Sequence, residues 1–578
     1  MLPALLAGTV ILVVVACTPL PRGIEHMDGR GAGPDQGWHR GPEVVVQPAG
    51  TARFVRGFVE GIDEAQIRRL VGFADALVAA PASPGYDRVL DELARELEAA
   101  GFRFATEGLG AESLLLEWLE GPATGPGWTP ISGSIELIDG GGRREPLHAF
   151  ADERDVERVI LPVHAPSTHL TARVSRSLDE LNPGEILVTE VSARQVLQRV
   201  RGRGAVAIVS ASLGSYNTDP TGAGRHLDAI QARALAPNSG LPAFQISRAS
   251  LKRIDEAIAR TGSASLALSA EVAVEDRPQR TLVATVVGTE RPDEAVVVSA
   301  HAQGPGAVNN ASGVAGVVAG VTTLCRRIEA GELQRPDRSL VFVFGDELRG
   351  VEHWLASTRR RPVAGLCADM IGSRADSGAI ALLEREPDPG AWLMFEPDRP
   401  SSWGGGKLDD GDWTPSGLSV LARCAMIDTG LVEGAWTSAD HPWEGGSDHD
   451  VLLAAGVPAV LFWHFTDFTF ATSLDRAPMV DPAETRRTAA AILTAASALA
   501  SPEPGDLDRY LRSLDLERRL RVDAALDAKE ADVARAWEAW ARGARAWLRN
   551  LCLGIDEPLP TPEEEPTVDD APTSEDAR

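Results

Sequence analysis

The sequence predicts an α/β protein: a mostly parallel sheet sandwiched by helices, with a smaller α/β domain inserted ahead of it. Two observations carry this expectation. From about residue 280 onward, apolar β-like runs at 281–287, 295–299 and 340–344 alternate with helical spacing, clearest in Val314, Val317, Val318, Val321 and Leu324. Strands alternating with helices build parallel sheets covered on both faces. From 120 to 275 the texture differs: short β-like runs at 185–189, 205–209 and 241–246 are interrupted by Gly and Pro, with one helical pattern over 193–203. A chain of 578 residues is too long for one ordinary domain, and 44% apolar composition suffices for a large core.

In chain order, Leu2 to Ala16 is apolar but too short for a typical membrane span, and it closes on Val14-Val15-Ala16-Cys17. Residues 1–17 resemble a bacterial lipoprotein signal, which implies lipidation of Cys17, a membrane partner through that anchor and a place in the cell envelope. An ordinary secretory signal or an uncleaved anchor is the alternative. Residues 18–58 are expected to be a flexible tether. Over 59–119, Ile67, Leu70, Val71, Ala74, Leu77 and Val78 share one helical face, and Val89, Leu90, Leu93 and Leu97 share another. These two helices lead into the body, the insert occupies 120–275 and the main domain 276–502.

Residues 503–553 form a helical extension with Trp537, Trp540, Ala544 and Trp547 on one face, expected to dock on the body or on a second copy. Beyond Gly554, nine acidic residues face one arginine, which is −8 of the net −27; this Pro-rich segment, 554–578, is expected to be disordered. A negative chain without a basic patch excludes nucleic acid as a partner class. Cys325, Cys367, Cys424 and Cys552 are scattered in apolar surroundings without metal-ligand spacing, which predicts buried thiols, with one disulfide left open.

The most informative stretch is 296–313, VVVSAHAQGPGAVNNASG: an apolar run stopping on His301, a Gly/Pro/Asn loop, then a helix. Downstream come Phe344-Gly-Asp-Glu-Leu-Arg-Gly350, Ala368-Asp-Met-Ile-Gly372, Gly445-Gly-Ser-Asp-His449 and Gly456-Val-Pro-Ala-Val460. In this order over some 200 residues, the blocks resemble the M28 family of zinc aminopeptidases, and 120–275 resembles a protease-associated domain. The resemblance implies a zinc-exopeptidase-like fold and two zinc ions held by five ligand positions, with a carboxylate base acting on a metal-bound water.

Carried over by motif, His301 and Asp369 are intact ligands, and Gln303 stands where an orienting Asp is usual. Asn309 occupies the position of the bridging Asp, and a neutral amide bridges two cations poorly. The Glu-Glu pair admits two registers. In one, Glu347 is the base and Leu348 replaces a ligand; in the other, Asp346 is the base and Glu347 the ligand. Asp448 and His449 are expected to support the site. Ala471 stands where the last ligand histidine should be, and His464 is read as a local hydrogen-bonding residue. His148, His164, His169 and His226 are expected to be surface or loop histidines.

Zinc is therefore expected to be weak, partial or absent. Two functional classes follow: a non-catalytic or impaired M28-like binding or scaffold protein that keeps a cleft for peptide or protein N-termini, or an active aminopeptidase. A serine hydrolase is disfavoured, since no Gly-x-Ser-x-Gly elbow occurs.

Overall fold

The computed structural model describes residues 48–104, 113–392 and 415–558. The expectations for 1–17 with Cys17, for the tether up to 47 and for the tail from 559 lie outside the described residues. Two sheets organise the rest. The larger has the spatial order Arg103–Phe104, Leu114–Gly121, Gln279–Val286, Arg338–Gly345, Arg291–His301, Arg361–Ala368, Ala459–Phe465, Ile380–Glu384 and Ser438–His441. Its four central strands, from Arg338–Gly345 to Ala459–Phe465, run parallel.

Period-two burial explains why these strands read as unbroken apolar runs. Val296, Val298 and Ala300 face one core, with the helices Ala311–Glu329 and Pro482–Ala500. Ala295 and Val297 face the other, with Val351, Trp354 and Leu452 from the helices Arg349–Ser357 and His449–Ala454. Both faces exclude water, so neither can be polar. The two long helices approach closely: a Cβ at Gly320 would lie 2.5 Å from the Leu493 side chain, and one at Gly316 would lie 3.0 Å from that of Thr485.

The second sheet has the order Arg144–Phe150, Gly127–Asp139, Ala264–Glu275, Thr168–Ser175, Ile186–Thr189, Ala207–Ser210 and Ala243–Gln245, the last four parallel. It has its own core around Ile186, Val188, Phe244 and Leu266. Loops of this unit meet the main domain: the Asn217 amide donates to the carbonyls of Phe468 and Phe470, each at 2.9 Å.

Three expectations are corrected. The tether does not extend to residue 58, because Gly50–Arg53 and Val55–Gly61 are helical and bury Phe54, Val55, Phe58 and Val59. Apolar spacing of three and four residues, continued by Ile62, already marks that helix. Its start is tied to the far end of the chain, with Thr51 donating to Asp428 at 2.6 Å and Gly50 N–H to Asp506. The first amphipathic helix ends at Asp75, so Leu77 and Val78 lie beyond it. His148 is not a surface or loop histidine. It is a buried strand residue whose Nδ1 meets Glu157 at 3.0 Å and whose Nε2 meets Ser250 at 2.8 Å.

The C-terminal helices Leu507–Asp527 and Ala531–Leu553 complete the main core with Tyr510, Leu514, Trp537, Trp540 and Leu548. Trp547 is partly buried against it. Cys325, Cys367, Cys424 and Cys552 are buried free thiols. Among the described residues no helix is long and apolar enough to cross a membrane.

Candidate metal centre

The four parallel strands end on one edge of the large sheet, where ligands sit in open α/β folds, and the loops beyond them carry the site. His301 closes its strand and is 2% exposed. Its Nδ1 lies 2.8 Å from the Gln303 carbonyl oxygen. A carbonyl only accepts, so Nδ1 carries a proton and Nε2 is turned toward Asp369 Oδ1 at 3.1 Å. Neither of those two atoms completes a hydrogen bond. Asp369, the residue after the strand Arg361–Ala368, accepts from Ser447 Oγ at 2.9 Å through its other oxygen.

Glu347 joins them: ligand atoms of His301, Glu347 and Asp369 lie within 4.8 Å of one another. The local backbone aims it. Arg349 N–H donates to the Glu347 carbonyl at 2.8 Å across Leu348, whose φ is +65° and ψ −49°. This is a γ-turn of the rarer, strained hand. The Leu348 N–H is pinned to Asp448 Oδ1 at 2.7 Å, and its side chain is 37% exposed. The Gln303 amide then fixes Glu347 twice, accepting from its N–H at 3.0 Å and donating to Oε2 at 3.2 Å. The residue at 303 thus orients the histidine with its backbone and the glutamate with its side chain. Asp346 is buried but stands outside the converging group.

The loop before the helix is held by Asp475, which accepts from Val308 N–H at 2.6 Å and Asn309 N–H at 3.1 Å. Gly306 is required there, since a Cβ would lie 2.1 Å from the Asp475 carboxylate. The Asn309 Oδ1 is buried without a partner. Asn310 caps the following helix and ties the strand ends together. It donates to the carbonyls of His301 and Ala368 and accepts from the N–H groups of Gly313 and Met370. His449 Nε2 meets Glu384 at 3.0 Å, and His464 Nε2 meets Glu484 at 3.0 Å, so neither histidine belongs to the converging group. Ala471 has φ +51°, and its carbonyl accepts from Ala232 N–H at 2.8 Å and the Gln231 amide at 2.6 Å. In place of a side-chain donor, this position offers a backbone clasp to the insert.

Four carboxyls, Asp346, Glu347, Asp369 and Asp448, crowd around one imidazole. Burial opposes charge on His301, but Asp369 and Glu347 outweigh it and hold the ring well above the ordinary imidazole range. Burial pushes Glu347 up to about 7, with His301 opposing and Asp369, Asp448 and Asp346 adding. Burial likewise raises Asp346 to about 6 and Asp448 above its ordinary value. Carboxyls that resist ionising together lack a cation. The converging ligand atoms of His301, Glu347 and Asp369 fit one divalent ion.

Residues 281–496 match the family described as Peptidase family M28. That stretch is similar to M28 peptidases. Among solved structures, an M28 peptidase precursor from Shewanella amazonensis is 16% identical with a TM-score of 0.51, covering 78% of this chain and 97% of that one. This likeness shows the shared α/β fold with its second, curled sheet. An aminopeptidase from Aneurinibacillus sp. strain AM-1 is 15% identical, with a TM-score of 0.46 and coverage of 77% and 95%. BSAP, a zinc aminopeptidase from Bacillus subtilis, is 14% identical, with a TM-score of 0.48 and coverage of 76% and 94%. A comparison with curated proteins finds no match.

Sequence reasoning reaches His301, Glu347 and Asp369 but misses Ser447, Asn310 and Asp475 as working parts of this site. Ser447 and Asn310 sit inside the motifs that carry the resemblance. Asp475 gives no local signal, because its partners stand 166 and 167 residues earlier.

Proposed function

We propose that this M28 homologue is a non-catalytic or impaired member that holds at most one divalent ion, zinc by family chemistry, and binds peptide N-termini without cleaving them. The donor set carries the reading. His301, Glu347 and Asp369 converge, whereas Asn309 supplies no charge at the bridging position and Ala471 has no side-chain donor. Two adjacent dications repel strongly unless carboxylates lie between them. A bound zinc would supply a Lewis acid for a peptide amine or carbonyl. The residues themselves set the His301 tautomer through Gln303, fix Glu347 beside it and hold Asp369 through Ser447.

The second reading is an aminopeptidase working with one ion. It is favoured by the placement of Glu347, held on two sides by Gln303 beside His301 and Asp369, where a carboxylate can act as a base.

Metal analysis after dialysis against micromolar zinc separates the readings, together with hydrolysis of aminoacyl-anilides. We expect no more than one zinc per chain and no steady turnover. The double reversion Asn309→Asp with Ala471→His should raise occupancy, and adding Leu348→Glu should raise it further in the register where Glu347 is the base. Two tightly held ions or steady turnover in the unmodified chain would overturn the proposal.

A further inference from the structure

We infer that the insert carries a second ligand site, separate from the His301 cluster, that takes the carboxylate of an acidic peptide side chain or chain end. The strands Ile186–Thr189 and Ala207–Ser210 are parallel and joined by the helix Ala193–Gly202. The loops leaving their carboxyl ends flank a cleft of about 700 Å³, a position and size at which α/β folds bind small ligands. Three independent features of this cleft suit an oxyanion.

The first is the start of the ten-residue helix. Ser192 makes no side-chain cap, and the earliest helical N–H groups with partners are those of Gln195 and Val196, both donating to the Ser192 carbonyl. The N–H groups of Ala193 and Arg194 remain as donors at the positive end of the helix. The second is Ser212, which lines the cleft, is 7% exposed, and has a buried hydroxyl without a partner. A buried donor left unpaired is costly unless something completes it.

The third is a pair of guanidinium groups. Arg233 is partly buried at the cleft, makes no ion pair or side-chain hydrogen bond among the described residues, and has its Nε buried without a partner. Burial lowers its pKa, the sign of a cation short of a counter-charge. Arg194, exposed in the first helical turn, also lines the cleft without an ion pair among the described residues. The exposed Glu190 on the same rim leaves the two arginines and one glutamate at a net charge of +1. That balance matches a monoanionic carboxylate better than a phosphate dianion, and a guanidinium offers a carboxylate two parallel N–H bonds.

The site adjoins the main domain through its own chain. Two residues before Arg233, the Gln231 amide donates to the Ala471 carbonyl and accepts from Gly214 N–H, just beyond Ser212. An acidic group held here is therefore placed beside the loop that enters the His301 region. The inference stands whether or not that region binds metal.

The test is calorimetric titration of the full chain with N-acetyl-aspartate α-amide, and with N-acetyl-asparagine α-amide as a neutral isostere, at fixed ionic strength. The acid should bind at least tenfold more tightly than the isostere and than inorganic phosphate. Arg233→Gln and Ser212→Ala should each weaken it severalfold, while Arg199→Gln, on an exposed part of the same helix, should leave it unchanged. Circular dichroism confirms that the variants fold, and Arg194→Gln provides a surface variant should Arg233→Gln not fold. Equal binding of acid and isostere, tighter binding of phosphate, or indifference to both arginine substitutions would overturn the inference.

Discussion

Asn310 shows how much of the site depends on one uncharged side chain. Its amide closes four hydrogen bonds that join the His301 strand, the Asp369 strand and the helix between them. Removing it leaves buried backbone groups unpaired, at about 1–3 kcal/mol for each unsatisfied group. Asn310→Ala should therefore lower the melting temperature by several degrees; a shift within error would show that water replaces the amide. Asp440 supplies a pH test away from the site. Burial disfavours its charge, but Arg423, Arg385 and Arg521 outweigh this and hold its carboxyl well below the ordinary range. A depressed carboxyl stabilises the fold above its unfolded pKa of about 4 and loses that contribution as pH falls below it. With 26% of the side chain exposed, solvent screens part of the effect. Asp440→Asn should cost thermal stability at pH 7, and the cost should shrink progressively as pH falls from about 4 toward the depressed folded value; a difference that stays constant over that fall would remove the ion cluster from the account.

At the scale of elements, the C-terminal helices belong to the core. Trp537 and Trp540 are 1% and 2% exposed, with ring centroids 5.7 Å apart near edge-to-face. Trp537→Ala should destabilise by about 3–5 kcal/mol, as large aromatic truncations in cores do. Leu516→Ala on the neighbouring helix, where the side chain is 52% exposed, should stay within about 0.5 kcal/mol. Equal melting shifts for the two variants would mean that the tryptophan face is not the one that packs. The N-terminal segment obeys the same logic, since Phe54 and Phe58 are as buried as the central strands.

For the whole molecule, the inserted sheet and the main sheet have separate cores but meet where functional loops lie, through Asn217 and Gln231. The insert is thereby fastened to loops of the main domain. We propose that Cys17 anchors this assembly at a membrane; the support is the apolar run from Leu2 to Ala16 that ends on it. In detergent phase separation, the wild type should enter the detergent phase and Cys17→Ser the aqueous phase. Both proteins in the aqueous phase would refute the anchor.

Local chemistry alone determined the α/β class, the helix Ala311–Glu329 and the candidate His301, while Asp369 came with the resemblance of its motif. A run of valines ending on a polar residue marks a buried strand opening at a sheet edge whatever surrounds it. Tertiary structure decided the rest. That Glu347 converges with His301 and Asp369 while Asp346 does not turned on a γ-turn at Leu348 that propensity does not favour in a leucine, held by an aspartate 100 residues later. Ser447 reaches Asp369 from 78 residues away, and Thr51 reaches Asp428 from 377. Such contacts follow from the order in which strands and helices stack, and no periodicity within a short window encodes that order.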